Sequence, residues 1–251
     1  MKDLAVVTGG GTGLGRAIAL DLARRGYPLL IVGRRAEPLA ETAGLTSTPC
    51  EVVAADVATQ AGRASVTAAV GERQVAFLVQ NAAVLTPIGP LATVPEAEWR
   101  KAMQVNVDAP LFLTQALLPH LSGGRILHIS SGAARNPLAG WGAYCVSKAA
   151  LFMLYQTLNA EHDDIAVGSV RPGVVDTPMQ ALIREQDESN FPAVERFRRL
   201  QQECQLRSPE EVANFIGWIL TETSVEAFKE REWDIGDPTQ TAQWQSARSA
   251  D

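Results

Sequence analysis

The chain has 251 residues, 46% hydrophobic and 20% charged, the balance of a soluble globular protein long enough to bury one large core. A net charge of −6 excludes the clustered cationic surface that nucleic acid requires, yet allows a local cationic site for an anionic cofactor. No apolar run approaches the roughly 20 residues that cross a bilayer, and Met1-Lys2-Asp3 leads into a strand-like segment with no secretory core.

Cys50, Cys145 and Cys204 are scattered, without a C-x-x-C pair. That fits free thiols in a reducing compartment and predicts a cytoplasmic protein with no membrane partner. His120, His128 and His162 lack metal-ligand spacing, so no metal is expected.

In chain order, Leu4-Ala5-Val6-Val7-Thr8 predicts the first strand, followed by a glycine-dense turn and a helix from Leu14 to Arg25. Further strands are predicted at residues 27–32, 50–55, 75–79, 126–130 and 165–170, and a seventh at Glu232-Trp233-Asp234-Ile235. Helical patterns fill most gaps. Strands that are almost wholly apolar and alternate with helices are buried on both faces. The prediction is an α/β fold: a single Rossmann-type doubly wound parallel sheet of about seven strands, with helices on both faces.

No linker divides the chain, so residues 1–251 read as one domain. Thr177 to Arg207 is polar and only partly periodic, a candidate substrate lid, and a helix is expected to start near Ser208-Pro209-Glu210. The polar stretch 238–251 reads as a loose tail.

Thr8-Gly9-Gly10-Gly11-Thr12-Gly13-Leu14-Gly15 joins the first strand to the first helix, where an open parallel sheet binds a nucleotide. Glycines let the backbone approach a pyrophosphate, and the helix N-terminus offers free N–H groups and a positive dipole end. The alternative is a tight turn with no ligand. After the second strand comes Val32-Gly33-Arg34-Arg35. No carboxylate stands there to bind a ribose 2′-hydroxyl, and guanidinium forks suit a 2′-phosphate. The cofactor expected is NADP(H), with Arg34 the better placed arginine and a solvated basic turn as the alternative.

Tyr144-x-x-x-Lys148 sets a phenol and an ammonium on one helix face. A cation beside a phenol lowers its pKa from about 10 toward working pH, which suits acid–base chemistry on tyrosine. Ser131 ends the fifth strand thirteen positions earlier, and strand alternation points Ser130 the other way.

The glycine loop, Asn81-Ala82-Ala83, Asn106, Ser131, Tyr144, Lys148 and Pro172-Gly173 followed by Thr177 occur in one order. In that order, from Thr8 to Thr177, the chain resembles the classical short-chain dehydrogenase/reductase family. It departs at Gln80 and Ala83, where the family element reads N-N-A-G. The resemblance implies a catalytic set of Asn106, Ser131, Tyr144 and Lys148. Ser131 would bond the substrate carbonyl oxygen, and Tyr144 would give its proton as hydride arrives. Lys148 would bind the nicotinamide ribose and tune Tyr144, and Asn106 would hold a water that links Lys148 to solvent.

The cofactor would lie against Gly9, Thr12, Gly13, Leu14, Gly15, Arg34, Arg35, Asp56, Val57, Asn81, Ala82, Tyr144, Lys148, Pro172, Gly173, Val175 and Thr177. Asp56 matches the family's adenine contact, and reads also as a helix cap ahead of Thr59.

Residues 129–133, 140–150 and 172–180, with Arg207-Ser208-Pro209-Glu210, further resemble the sepiapterin reductase branch and its bacterial benzil-reducing relatives. That implies a small carbonyl substrate, an α-dicarbonyl or α-hydroxyketone. The family resemblance also implies a homodimer or tetramer built on two long helices, Val107 to Leu121 and Ala143 to Ala160. Trp141, Met179 and Asp234 become candidate substrate contacts. The first two read also as core residues, and Asp234 as a polar strand end. Cys145, about 100° round the helix from Tyr144, reads as a packed thiol, and His128 as structural.

Two other functions stay open. One is a non-catalytic NADP(H)-binding sensor, which has no need of a proton donor. The other is a ketoreductase of carrier-bound acyl chains, docked by Arg184, Arg196, Arg198 and Arg199. Those arginines alternate with Glu185, Glu188 and Glu195, as on a solvated helix face.

Overall fold

The computed structural model describes residues 2–248. Its strands are β1 (Leu4–Thr8), β2 (Leu29–Gly33), β3 (Cys50–Ala54), β4 (Val75–Gln80), β5 (Arg125–Ile129), β6 (Ala166–Arg171) and β7 (Glu232–Asp234). They form one sheet, parallel throughout, in the order β3-β2-β1-β4-β5-β6-β7. Each strand falls within two residues of its predicted bounds.

The helices are α1 (Gly13–Arg24), α2 (Ala36–Gly44), α3 (Gln60–Val70), α4 (Glu96–Met103), α5 (Ala109–Leu117), α6 (Gly142–Glu161), α7 (Pro178–Arg184), α8 (Val194–Gln202), α9 (Pro209–Thr221), α10 (Val225–Glu230) and α11 (Pro238–Arg248). Among the described residues, no helix is long and apolar enough to cross a membrane.

Alternation along the strands explains their unbroken hydrophobicity. Val6, Leu30, Leu78, Ile126 and Val167 pack with Val66, Leu113 and Leu158 of α3, α5 and α6. Val7, Ile31, Val79 and Leu127 pack on the other face with Ile18 and Leu22 of α1 and Ile216 and Ile219 of α9. Both faces are covered, so most positions of either period are apolar, with buried exceptions such as His128 in β5 and Ser169 in β6. The edge strand β3 is less covered, with Glu51, Val52 and Ala54 exposed and Arg73 paired to Glu51.

The helix expected over 107–121 is interrupted. A π-helical turn at Gln104–Asp108 precedes α5, and a 3₁₀ turn at Leu118–His120 follows it. Pro119 has no N–H to continue the α-helical ladder. α9 starts as expected: the Ser208 hydroxyl accepts from the Glu211 N–H at 3.1 Å, with Pro209 in the first turn.

The loose tail expected over 238–251 is overturned for its described part. Asp237 accepts from the Thr239 N–H at 2.8 Å at the start of α11. Trp244, 2% exposed, packs edge-on against Phe215 at 5.4 Å. One buried indole outweighs the polarity of its neighbours, because burying so large an apolar surface is worth several hydrated side chains. Residues 249–251 lie outside the described residues.

From β1 the chain runs outward through β2 to β3, then returns to β4 on the other side of β1. This reversal opens a crevice at the carboxyl ends of β1 and β4.

Candidate active site

The glycine loop crosses that crevice. Gly13 holds φ +53°, a conformation that L side chains rarely adopt. At Gly15, a Cβ would lie 2.2 Å from the Gly9 carbonyl oxygen, so α1 can close onto the loop only without a side chain there. Asn81 ties the loop down. Its Nδ2 donates to the Thr8 carbonyl at 2.9 Å, and the Thr8 hydroxyl accepts from the N–H groups of Asn81 and Ala82, each at 3.0 Å. The Thr12 side chain makes no capping bond to α1. Gly9, Thr12, Gly13, Leu14 and Gly15 line a cavity of about 830 Å³, within the usual size of a ligand site.

Arg34, Arg35, Asp56 and Val57 line the same cavity at the ends of β2 and β3. Arg34 and Arg35 are exposed and make no ion pair or hydrogen bond with any described residue. Asp56 does not cap α3. Thr59 does, accepting from the Gly62 N–H at 3.0 Å, while Asp56 Oδ1 accepts from the Ala58 N–H in the turn before it.

Ser131, Tyr144 and Lys148 line the same cavity, as do Pro172, Gly173, Val175 and Thr177, the last beside Gly13 of the loop. Ser130 is buried and its hydroxyl has no partner, whereas Ser131 is half-buried and hydrogen-bonds toward the Tyr144 phenol. The Lys148 ammonium stands 5.6 Å from the Tyr144 ring centroid and donates to the Ile129 carbonyl at 2.7 Å.

The expected drop in the tyrosine pKa is overturned. Burial pushes the Tyr144 phenol up to about 12, and the Ser131 hydrogen bond opposes this only in part. Desolvation of the phenolate outweighs the neighbouring groups. Burial likewise lowers Lys148 to about 8, and His128, deep in β5 with Lys148 nearby, to about 4.

Lys148 therefore opposes folding near neutral pH. Between about 8 and 10.5 the unfolded chain holds more protons than the folded one, so this group makes stability rise with pH across that window. Lys148→Met should raise Tm at about pH 7, by roughly 2–4 °C for each kcal/mol of relieved desolvation. The gain should shrink toward about pH 10, where the folded protein already holds a neutral amine. Thermal unfolding at both pH values checks this. A loss of Tm at neutral pH would mean that the ammonium stabilises the fold.

Asn106 does not line the cavity and is 1% exposed. Its Oδ1 accepts from the Val84 N–H at 2.8 Å, and its Nδ2 donates to the Val84 carbonyl at 2.8 Å and to Ser147 Oγ at 2.9 Å. Both amide protons are committed, so a water beside Lys148 would be held by a carbonyl oxygen and not by the side-chain amino group. The Ser147 hydroxyl in turn donates to the Tyr144 carbonyl at 2.8 Å. Asn106 thus ties the segment after β4 to the first turns of α6.

Trp141 and Met179 line the cavity at its apolar end. Trp141 touches the Tyr144 ring at 5.7 Å and stacks flat on Phe191 at 4.7 Å, with Phe197 at 5.3 Å. Phe191 precedes α8 and Phe197 lies on it, so the segment read as a lid is pinned by aromatic packing. At Gly140 a Cβ would lie 2.3 Å from the Asn190 carbonyl oxygen. The two phenylalanines escaped notice in the sequence. Their signal was two aromatic residues six apart within a charged stretch.

Asp234 reaches the cavity wall with its carboxylate already engaged. Oδ2 pairs with Arg171 at 2.8 Å, and Oδ1 accepts from the Gly236 N–H at 2.8 Å. Cys145 packs in the cluster around Trp141, as a packed thiol would.

A match to the short chain dehydrogenase family spans residues 3–188. The chain is 34% identical over 220 residues to the benzil reductase ((S)-benzoin forming) of Bacillus subtilis, covering 84% of this chain and 90% of that protein. It is 38% identical over 204 residues to the sepiapterin reductase of Mus musculus, covering 72% and 78%. It also aligns with the crystal structure of L-sorbose reductase from Gluconobacter frateurii, complexed with NADPH and L-sorbose. That alignment has a TM-score of 0.81 at 28% identity, over 92% of this chain and 94% of that one. A shared sheet topology alone does not bring sequence identity along most of both chains. Taken with a family match that runs from β1 through the segment after β6, it means that this chain belongs to the short-chain dehydrogenase/reductase family of oxidoreductases.

Proposed function

We propose that this protein is an NADPH-dependent carbonyl reductase that converts a small α-dicarbonyl or α-hydroxyketone to an alcohol. The observation that carries the reading is the grouping of Ser131, Tyr144 and Lys148 on one wall of the cavity that begins at the glycine loop.

The residues present fit a dinucleotide with a 2′-phosphate. Gly15 leaves the loop no room for a side chain, and Arg34 and Arg35 are uncompensated cations at the end of β2. Gly9, Thr12, Gly13, Leu14 and Gly15 would hold the pyrophosphate, and Asp56 and Val57 the adenine. Asn81 and Ala82 brace the loop. Pro172, Gly173, Val175 and Thr177 would hold the nicotinamide, and Lys148 its ribose. NADPH bound there supplies the hydride.

As charge develops on the carbonyl oxygen, the Ser131 hydroxyl donates a hydrogen bond to it and Tyr144 gives it a proton. A phenol pushed up to about 12 stays protonated throughout the working range, the form a donor needs. An alkoxide is a far stronger base than a phenolate, so the transfer remains downhill. The Lys148 ammonium beside the ring favours the phenolate that results. Asn106 acts as a positioning residue, through Ser147 and the Tyr144 carbonyl.

The names of the benzil and sepiapterin reductases support the substrate class, and the aromatic lining supplied by Trp141 and Phe197 suits an aryl carbonyl. The NADPH-bound neighbour supports the cofactor. Met179 and Asp234 would contact the substrate, Asp234 together with Arg171. Arg184 and Arg198 are engaged with Asp176 and Glu195, which favours a small substrate over a docked carrier. We take the chain as one domain with α7 and α8 as its substrate cover. Exposed Phe112, Val146 and Met153 on α5 and α6 support a homodimer or tetramer, and three free cysteines support the cytoplasm.

NADPH oxidation measured against benzil, other diketones, sepiapterin and simple ketones tests the reading. Dicarbonyl substrates should turn over fastest. No oxidation with any carbonyl would leave the sensor reading in its place.

A further inference from the structure

Among the described residues, four arginines line the cavity: Arg34, Arg35, Arg171 and Arg196. The first two stand at the end of β2, where the 2′-phosphate would lie. Arg171 is neutralised, 2.8 Å from Asp234 Oδ2 and 3.3 Å from Glu232 Oε2. Arg196 has no such partner. Its exposed side chain makes no hydrogen bond or ion pair with any described residue, and its guanidinium stands 5.7 Å from the Phe197 ring centroid. Its neighbour Glu195 is taken by Arg198. The cavity's described carboxylates are Asp56, at the adenine end, and Asp234, bound to Arg171. A protein of net charge −6 thus keeps an uncompensated guanidinium on the lining of its cavity, in addition to the Lys148 ammonium of the catalytic wall.

Ring contacts show what lies between this cation and the phenol. Phe197 touches Trp141 at 5.3 Å, and Trp141 touches Tyr144 at 5.7 Å. An apolar aromatic floor therefore separates the proton donor from a positive charge. We propose that Arg196 recognises an anionic group on the substrate, so that among aryl α-dicarbonyls and α-hydroxyketones those bearing a carboxylate on a spacer are preferred. The ketone meets Ser131 and Tyr144, the aryl body lies on Trp141 and Phe197, and the carboxylate reaches Arg196. Guanidinium and carboxylate match in fork geometry, and the bond gains strength as the bound substrate excludes water. This inference rests on the carbonyl reductase reading.

The test compares aryl ketones that carry a terminal carboxylate, on methylene spacers of increasing length, with their methyl esters. At the best spacer the acid should exceed its ester in kcat/KM by roughly three- to tenfold. Arg196→Gln should bring that ratio toward unity through the KM of the acid, Arg196→Glu should invert it, and Arg196→Lys should restore part of it. Added salt should shrink the ratio in the parent protein. A second readout is free of turnover: quenching of tryptophan fluorescence by the corresponding aryl alkanoic acids and their esters, with NADP+ bound. Tighter binding of the acid, lost in Arg196→Gln, is expected.

Equal preference for acid and ester at every spacer, in both readouts, would overturn the proposal. So would an Arg196→Gln loss that falls equally on both or appears in the KM for NADPH, since the guanidinium would then serve the cofactor. If no ketone is reduced, the carbonyl reductase reading fails by itself, and the fluorescence comparison still decides the role of Arg196.

Discussion

Tyr144→Phe lowers kcat for carbonyl reduction by about 10²–10⁴-fold or more, while NADPH binding changes little. The substitution keeps the ring that packs edge-on against Trp141 at 5.7 Å and removes only the hydroxyl beside Ser131. Neither of the chain's other two tyrosines can replace it. The Tyr155 hydroxyl donates to the Lys229 carbonyl at 2.9 Å, and Tyr27 packs on Phe77 ahead of β2. Neither lines the cavity. Water reaching the site would be a poorly placed acid, so the loss should approach the full value of a positioned one. Steady-state kinetics with fluorescence titration of NADPH checks both halves. Near-parent kcat in a folded variant with a chemistry-limited step would remove Tyr144 from the role.

Arg34→Asp erodes or reverses the cofactor preference. In the parent protein, kcat/KM with NADPH should exceed that with NADH by about 10- to 100-fold, since a hydrogen bond to a charged group is worth about 1.5–3 kcal/mol. Two uncompensated guanidinium groups stand where the phosphate would lie. The new carboxylate repels that phosphate and accepts from a ribose 2′-hydroxyl, so NADH gains as NADPH loses. Arg35 remains and softens the switch, and Arg34→Asp with Arg35→Ala should complete it. Kinetics with both cofactors measures the effect. Equal kcat/KM for NADH and NADPH in the parent protein would end the argument.

Read from the sequence alone, the sheet was legible because its strands are dry on both faces. Burial on both sides leaves no alternating polar residue, and Leu29 to Val32 or Val75 to Val79 can then be little else. The glycine loop was legible for a local reason: the turn from β1 into α1 tolerates no Cβ at Gly15. Tyr144 and Lys148 were paired by helical spacing alone. The outline of the cavity followed, since the strand ends and the reversal at β1 fix which residues converge there.

What the sequence by itself determined about this protein is thus its periodicity, its turn chemistry and the residue types at strand ends. The tertiary structure decided the rest. Asn106 matched a motif, but only the structure shows what its amide ties together, Val84 and Ser147, segments far from it in sequence. Tyr144 had a cation four residues away, yet burial by other elements raised its pKa. A polar tail folded because Trp244 found a place beside Phe215. Arg171 and Arg196 look alike in the sequence, but Asp234 and Glu232 neutralise one and no described residue neutralises the other. Desolvation, charge compensation and aromatic packing all depend on neighbours that meet only when distant elements dock, and local pattern does not carry that information.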